Sequence, residues 1–167
     1  MTEPLPDQMH RVFERHDSFV PKTEGYRVET TSFDNTITLA ETDKPKATWI
    51  VTVTVPTIAA ATADEVADIV VTDWFETLER RLADAPKATR ATVELDGFTV
   101  ERDGGEISIE YEFEWDTPER AADIAKTFVE YVEGTYVESI IPGYEYEPPV
   151  SNLLARASQS GKSGTPL

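Results

Sequence analysis

The run Ile-Ser-Ile-Glu-Tyr-Glu-Phe-Glu-Trp at residues 107–115 constrains this chain most. Ile107, Ile109, Tyr111, Phe113 and Trp115 alternate with Ser108, Glu110, Glu112 and Glu114. Successive side chains of a strand point to opposite faces. One face of this strand is therefore apolar and the other carries a row of carboxylates. Such a strand belongs to an antiparallel sheet with one side on a core and the other in water.

Other strands follow from the same reading. Trp49, Val51, Val53 and Val55 alternate with Ile50, Thr52 and Thr54 in a β-prone run closed by Pro56. Residues 26–33 and 36–43 read as two strands around an Asp34-Asn35 turn, with Val28 and Thr30 on the face of Ile37 and Leu39. Asp103-Gly104-Gly105 turns the last hairpin and sets Val100 opposite Ile107 and Phe98 opposite Ile109. Continued without interruption, that register brings Asp96 onto the apolar face. One extra residue at Asp96-Gly97 restores Leu95 opposite Tyr111 and Val93 opposite Phe113, so a β-bulge is predicted there.

Helices occupy the intervals. Asp7 caps a first one, with Met9, Val12, Phe13 and His16 on one side; Phe19 and Val20 follow, and Pro21 ends the element. Thr62 and Glu65 form a capping box that places a helix start near Ala63, with Val66, Val70 or Val71, Trp74, Phe75, Leu78 and Leu82 as its stripe. Thr117 caps a third helix with Pro118 at its first position. Its stripe of Ala121, Ile124, Ala125, Phe128 and Val132 extends through Tyr136 to Ile140, unless Gly134 ends it. The order is α-β-β-β-α-β-β-α. It describes an α+β fold whose twisted antiparallel five-stranded sheet carries its helices on one face. Residues 36–84 and 92–140 share a hairpin-then-helix pattern. Residues 1–149 read as one domain. Residues 150–167 add a short amphipathic segment (Val150, Leu153, Leu154, Ala157) and, from Ser158, a flexible Ser/Gly tail.

Charge is the strongest compositional signal, with 32 acidic against 15 basic residues and a net −17. The acidic residues are spread over every element, the pattern of a solvated surface rather than a binding tail. Phosphate contact needs a basic patch, and the sequence displays none, so nucleic acid is not an expected partner. No cysteine is present, which excludes disulfides and thiolate chemistry. No apolar run has the length of a membrane span, and the first residues lack the regions of a signal peptide. A cytoplasmic protein is expected.

Motifs with chemistry are few. Gly161-Lys162-Ser163 resembles the end of a phosphate loop, but Arg156 stands where that motif needs glycine. His10 and Glu14 share a helix face that His16 leaves, so a metal site is disfavoured. The Glu110, Glu112 and Glu114 row lies on the wet side of its strand, where nothing raises a carboxyl pKa for catalysis. No catalytic residues, cofactor or metal are expected. Tyr144 and Tyr146 beside Pro148-Pro149, with Val150, Leu153 and Leu154, are the candidate partner-binding residues. Packing of this segment on its own domain competes with that reading.

The acidic composition, the His-Asp-Ser-Phe segment at 16–19 and the Ile-Ile-Pro-Gly-Tyr-Glu-Tyr stretch from Ile140 resemble a family of small haloarchaeal proteins of unknown function. The resemblance implies a saline cytoplasm and nothing about mechanism. The element order resembles type III secretion chaperones and YbjN-like domains, which implies a sheet-and-helix module that dimerises or holds a partner chain. The leading expectation is a non-enzymatic protein-binding or chaperone-like module, its partner another protein chain or a second copy. The alternative is a small-ligand-binding protein or hydrolase, with Trp49, Trp74, Tyr111 and Trp115 lining a pocket between sheet and helices.

Overall fold

The computed structural model describes residues 11–22, 25–40 and 46–164, with side chains to residue 158. Its centre is the strand pair that the alternation predicts. β4 (Ala47–Pro56) and β6 (Glu106–Trp115) run antiparallel, with Trp49 opposite Phe113, Val51 opposite Tyr111, Val53 opposite Ile109 and Val55 opposite Ile107. All eight side chains are buried, and the Thr and Glu residues between them are half-exposed on the other face.

The sheet has six strands rather than five, in the order β1-β2-β3-β4-β6-β5. The extra one is β1 (Phe19–Pro21), which extends the edge beyond β2 (Tyr26–Val28) and β3 (Asp34–Ala40). Three residues are too few to display a period, and a terminal proline is tolerated on an edge strand. Helical residues 11–15 precede β1 and bury Phe13 against Phe19, Tyr26 and Trp49. The expected Asp7 cap, Met9 and His10 lie outside the described residues.

Asp34-Asn35 is not a turn: both residues belong to β3, and the chain reverses at 29–33. Asn35 is buried, and its side chain acts as a piece of ladder. Its Oδ1 accepts the Val28 N–H at 2.8 Å, and its Nδ2 donates to the Val28 carbonyl at 3.1 Å. Tyr26 pairs with Ile37 two positions further along, so Thr30 leaves the shared face and is exposed. The last hairpin also differs in register. Asp103 pairs with Glu106 around a two-residue Gly104-Gly105 turn, and Gly104 has φ +62°, fitting a turn whose first central residue is glycine. β5 (Gly97–Asp103) is thereby slid two residues, with Phe98 opposite Tyr111 and Val100 opposite Ile109. A slide of two keeps every side chain on its face. The bulge geometry appears where β5 begins. Gly97 pairs with Glu112 while the Asp96 N–H donates to the Glu112 carbonyl at 2.8 Å, so two residues oppose one. Leu95 and Phe98 consequently share the core side, although Leu95 does not face Tyr111.

Among the described residues, three longer helices join helical residues 11–15 on one face of the sheet. α1 (Asp68–Leu82) buries Val71, Trp74, Leu78 and Leu82. α2 (Pro118–Glu138) passes through Gly134 without ending and lies across β4 and β6, with Phe128 against Tyr111 and Phe113. α3 (Val150–Gly164) is longer than the two turns expected and continues through the Ser/Gly-rich stretch. Once buried Val150 and Leu153 fix its first turns, each added residue gains a hydrogen bond without a new nucleation cost.

Candidate binding surfaces

Thr62 and Glu65 do not cap α1, which starts at Asp68 with Ala67 in the cap position. The Thr62 hydroxyl donates instead to the Glu145 carbonyl, and the Thr62 backbone bridges to Tyr146. The Glu145 N–H donates to Asp64 Oδ2 at 2.7 Å, and the Glu147 N–H to the Ala61 carbonyl at 2.8 Å. These bonds strap residues 145–147 along residues 61–64. A local capping signal has been overridden by tertiary pairing.

The strap decides where the candidate partner-binding residues sit. Val150 and Leu153 are buried in the chain's own core, and Leu154 is half-buried beside them. The Arg156 guanidinium donates to Ser32 Oγ at 2.6 Å, tying α3 to the loop before β3. Tyr146 donates its hydroxyl to the Ile141 carbonyl and meets Tyr144 edge-on at 6.4 Å between ring centroids. Both tyrosine rings remain partly exposed.

The outer side of α1 carries a surface feature that sequence reasoning passed over. Ile69 is 67% exposed on α1. Val66 and Val70 are half-exposed close by, and a cleft of about 340 Å³ is lined by Val70, Trp74 and Ile141 with Asp73, Glu138, Arg81, Thr77 and Ser139. The signal was in the run Ile69-Val70-Val71. Three consecutive apolar residues exceed one stripe of a helix, so not all of them can face the core.

Three of the four aromatic residues of the pocket hypothesis are core side chains, and the fourth, Trp115, is half-buried with its indole N–H on Thr117 Oγ1 at 3.2 Å. Trp49 and Tyr111 are wholly buried, and Trp74 nearly so. The Trp49 indole N–H donates to the Trp115 carbonyl at 3.3 Å, that of Trp74 to Ser139 at 3.1 Å, and the Tyr111 hydroxyl to Leu82 at 2.7 Å. Tyr136 does the same to Pro56 at 2.9 Å. Burial raises the phenol pKa of Tyr111 and Tyr136, aided by Tyr131 and Tyr146 respectively. The polar tips of these buried side chains are satisfied by backbone carbonyls.

Glu110, Glu112 and Glu114 are half-exposed on the uncovered sheet face, among threonines. His16 packs edge-on against Phe19, accepts the Ser18 N–H on Nδ1 at 3.3 Å and contacts Asp123 through Nε2 at 3.2 Å. Nδ1 is thus the acceptor and Nε2 the donor, a structural arrangement. Among the described residues no three His, Asp or Glu side chains are grouped as metal ligands. Nor is any described helix long and apolar enough to cross a membrane.

Residues 14–156 match the model of a family of unknown function, DUF5813. The chain belongs to that family. The DUF5813 match takes in the strap, α1 and Ile141, so these surfaces lie inside the family's own boundaries. No curated protein and no solved structure matches the chain.

Proposed function

We propose that this chain is a non-enzymatic binding module of a salt-rich cytoplasm, which holds a segment of another protein against the outer side of α1. Exposed Ile69 carries this reading, together with half-exposed Val66 and Val70 on the same stretch of chain: contiguous apolar side chains in water mark a docking surface. Val70, Trp74 and Ile141 of the neighbouring cleft suit an apolar anchor, and with Arg81 engaged by Ser139 Oγ at 3.0 Å, Asp73 and Glu138 suit Lys or Arg flanking it. The resemblance in element order to secretion chaperones points to the same class of role.

The test is retention of a partner from a high-salt extract of the source cells. Ile69→Asp combined with Val70→Asp is expected to release that partner with the melting temperature unchanged. A peptide from the partner should bind about tenfold more weakly once its Lys and Arg become Glu. A partner held equally well by the double variant would overturn the proposal.

The acidity fits adaptation to salt, because exposed carboxylates such as Glu65, Asp68, Glu76, Glu101 and Asp103 are distributed over separate elements. The Debye length is about 30 Å at 0.01 M salt and 3 Å at 1 M, so dilute buffer lets the repulsion of a −17 chain act across the whole molecule. An expanded chain relieves it. The melting temperature should rise steeply between about 0.05 and 2 M KCl, followed by circular dichroism at fixed pH. A flat series would make the charge a binding feature instead.

A further inference from the structure

One cleft runs against the charge of the molecule. It measures about 370 Å³ and lies between residues 88–91 and the first half of α2, with Arg90, Arg120 and Lys126 on its walls and Asp123 as its acidic member. Carboxylates outnumber cations 32 to 15 in this chain, so a random surface patch is acidic. Lys126 shares its ammonium with Glu130 at 3.0 Å, and the Asp123 carboxylate contacts His16. Arg90 and Arg120 have no ion pair or hydrogen bond among the described residues. The Thr89 and Thr127 hydroxyls donate to backbone carbonyls, so the free donors of the cleft are guanidinium groups. Its remaining lining is aliphatic: Ile124, Ala88 and Ala91.

We infer that this cleft is a binding site for a small organic phosphate. Two planar guanidinium forks, one from each wall, suit a tetrahedral dianion that offers oxygens in several directions, and the ammonium adds a point charge. The aliphatic lining takes the body of the ligand. The inference is independent of the protein-docking surface on α1.

Titration calorimetry with inorganic phosphate and adenosine monophosphate tests it, in KCl that keeps the full chain folded. Both probes are expected to bind at one saturable site. Arg90→Ala and Arg120→Ala should each weaken binding about tenfold, with the circular dichroism melt unchanged. Arg120→Lys keeps the charge but loses the fork and should weaken binding less. Arg102→Ala, on the β5 edge, should leave it unchanged. Absence of saturable binding, or wild-type affinity in both Arg90→Ala and Arg120→Ala, would overturn the inference. So would tight binding of a single-stranded oligonucleotide with none of the small probes, which would make the cleft a nucleic-acid contact.

Discussion

β3–β4–α1 and β5–β6–α2 share one plan, a hairpin followed by a helix, and their second strands pair at the middle of the sheet. They differ in how the helix is delivered. β6 passes to α2 through Asp116 and Thr117 alone, and Pro118 starts the helix at once. β4 passes to α1 through residues 57–67, which first bond the hairpin tip at Gly105 and then the strap at 145–147. The short link sets α2 directly over β4 and β6, and ten of its 21 residues are buried. The long link releases α1 to lie beside α2, where four of its 15 residues are buried and Ile69 faces water. Connection length thus separates a helix that makes the core from one with surface left to bind with.

Removing the central contact should break this arrangement most severely. Phe128→Ala empties the space between Tyr111 and Phe113 and is expected to cost about 3–5 kcal/mol in a urea melt. A loss below about 1 kcal/mol would mean that α2 is not the organising helix. The first unit has a dependence that the second lacks, because its outer strands hang on Asn35. Asn35→Ala leaves the Val28 N–H and carbonyl without these partners and should cost about 2–3 kcal/mol. A near-neutral result would show that water or the backbone replaces the amide.

A pair of equal substitutions sharpens the contrast between the helices. Val132→Ala in α2, where the side chain is 1% exposed, should cost about 2 kcal/mol, and Val71→Ala in α1, at 9%, about 1 kcal/mol. Equal losses would place α1 as deep in the core as α2. The smallest effect should be a gain. Gly134 is exposed in α2, and a Cβ there meets nothing within 4 Å, so Gly134→Ala should stabilise by about 0.5–1 kcal/mol. A loss would show that the helix needs its glycine.

Burial along each element was legible in the residues themselves. Trp49 to Val55 and Ile107 to Phe113 declare their faces by a period of two, and Phe128 and Val132 declare theirs by a helical spacing. These patterns are local, because burial of a strand or helix face requires the same repeat whatever it packs against. Register was not legible. Sliding β5 by two residues leaves every apolar side chain on its face, so the alternation cannot distinguish the two pairings, and only the Gly104-Gly105 turn does. Side chains with several possible partners were equally ambiguous. Asn35 is as good in a turn as in a ladder, and Thr62 as good in a helix cap as on the Glu145 carbonyl. Which partner each takes depends on segments far away in the chain. The same holds for the surfaces: exposed Ile69 and the unpaired Arg90 and Arg120 exist because the long β4–α1 link and the packing of α2 leave those sides uncovered. Periodicity decides which residues a chain can bury, and the three-dimensional assembly decides which of the remainder lie together in water.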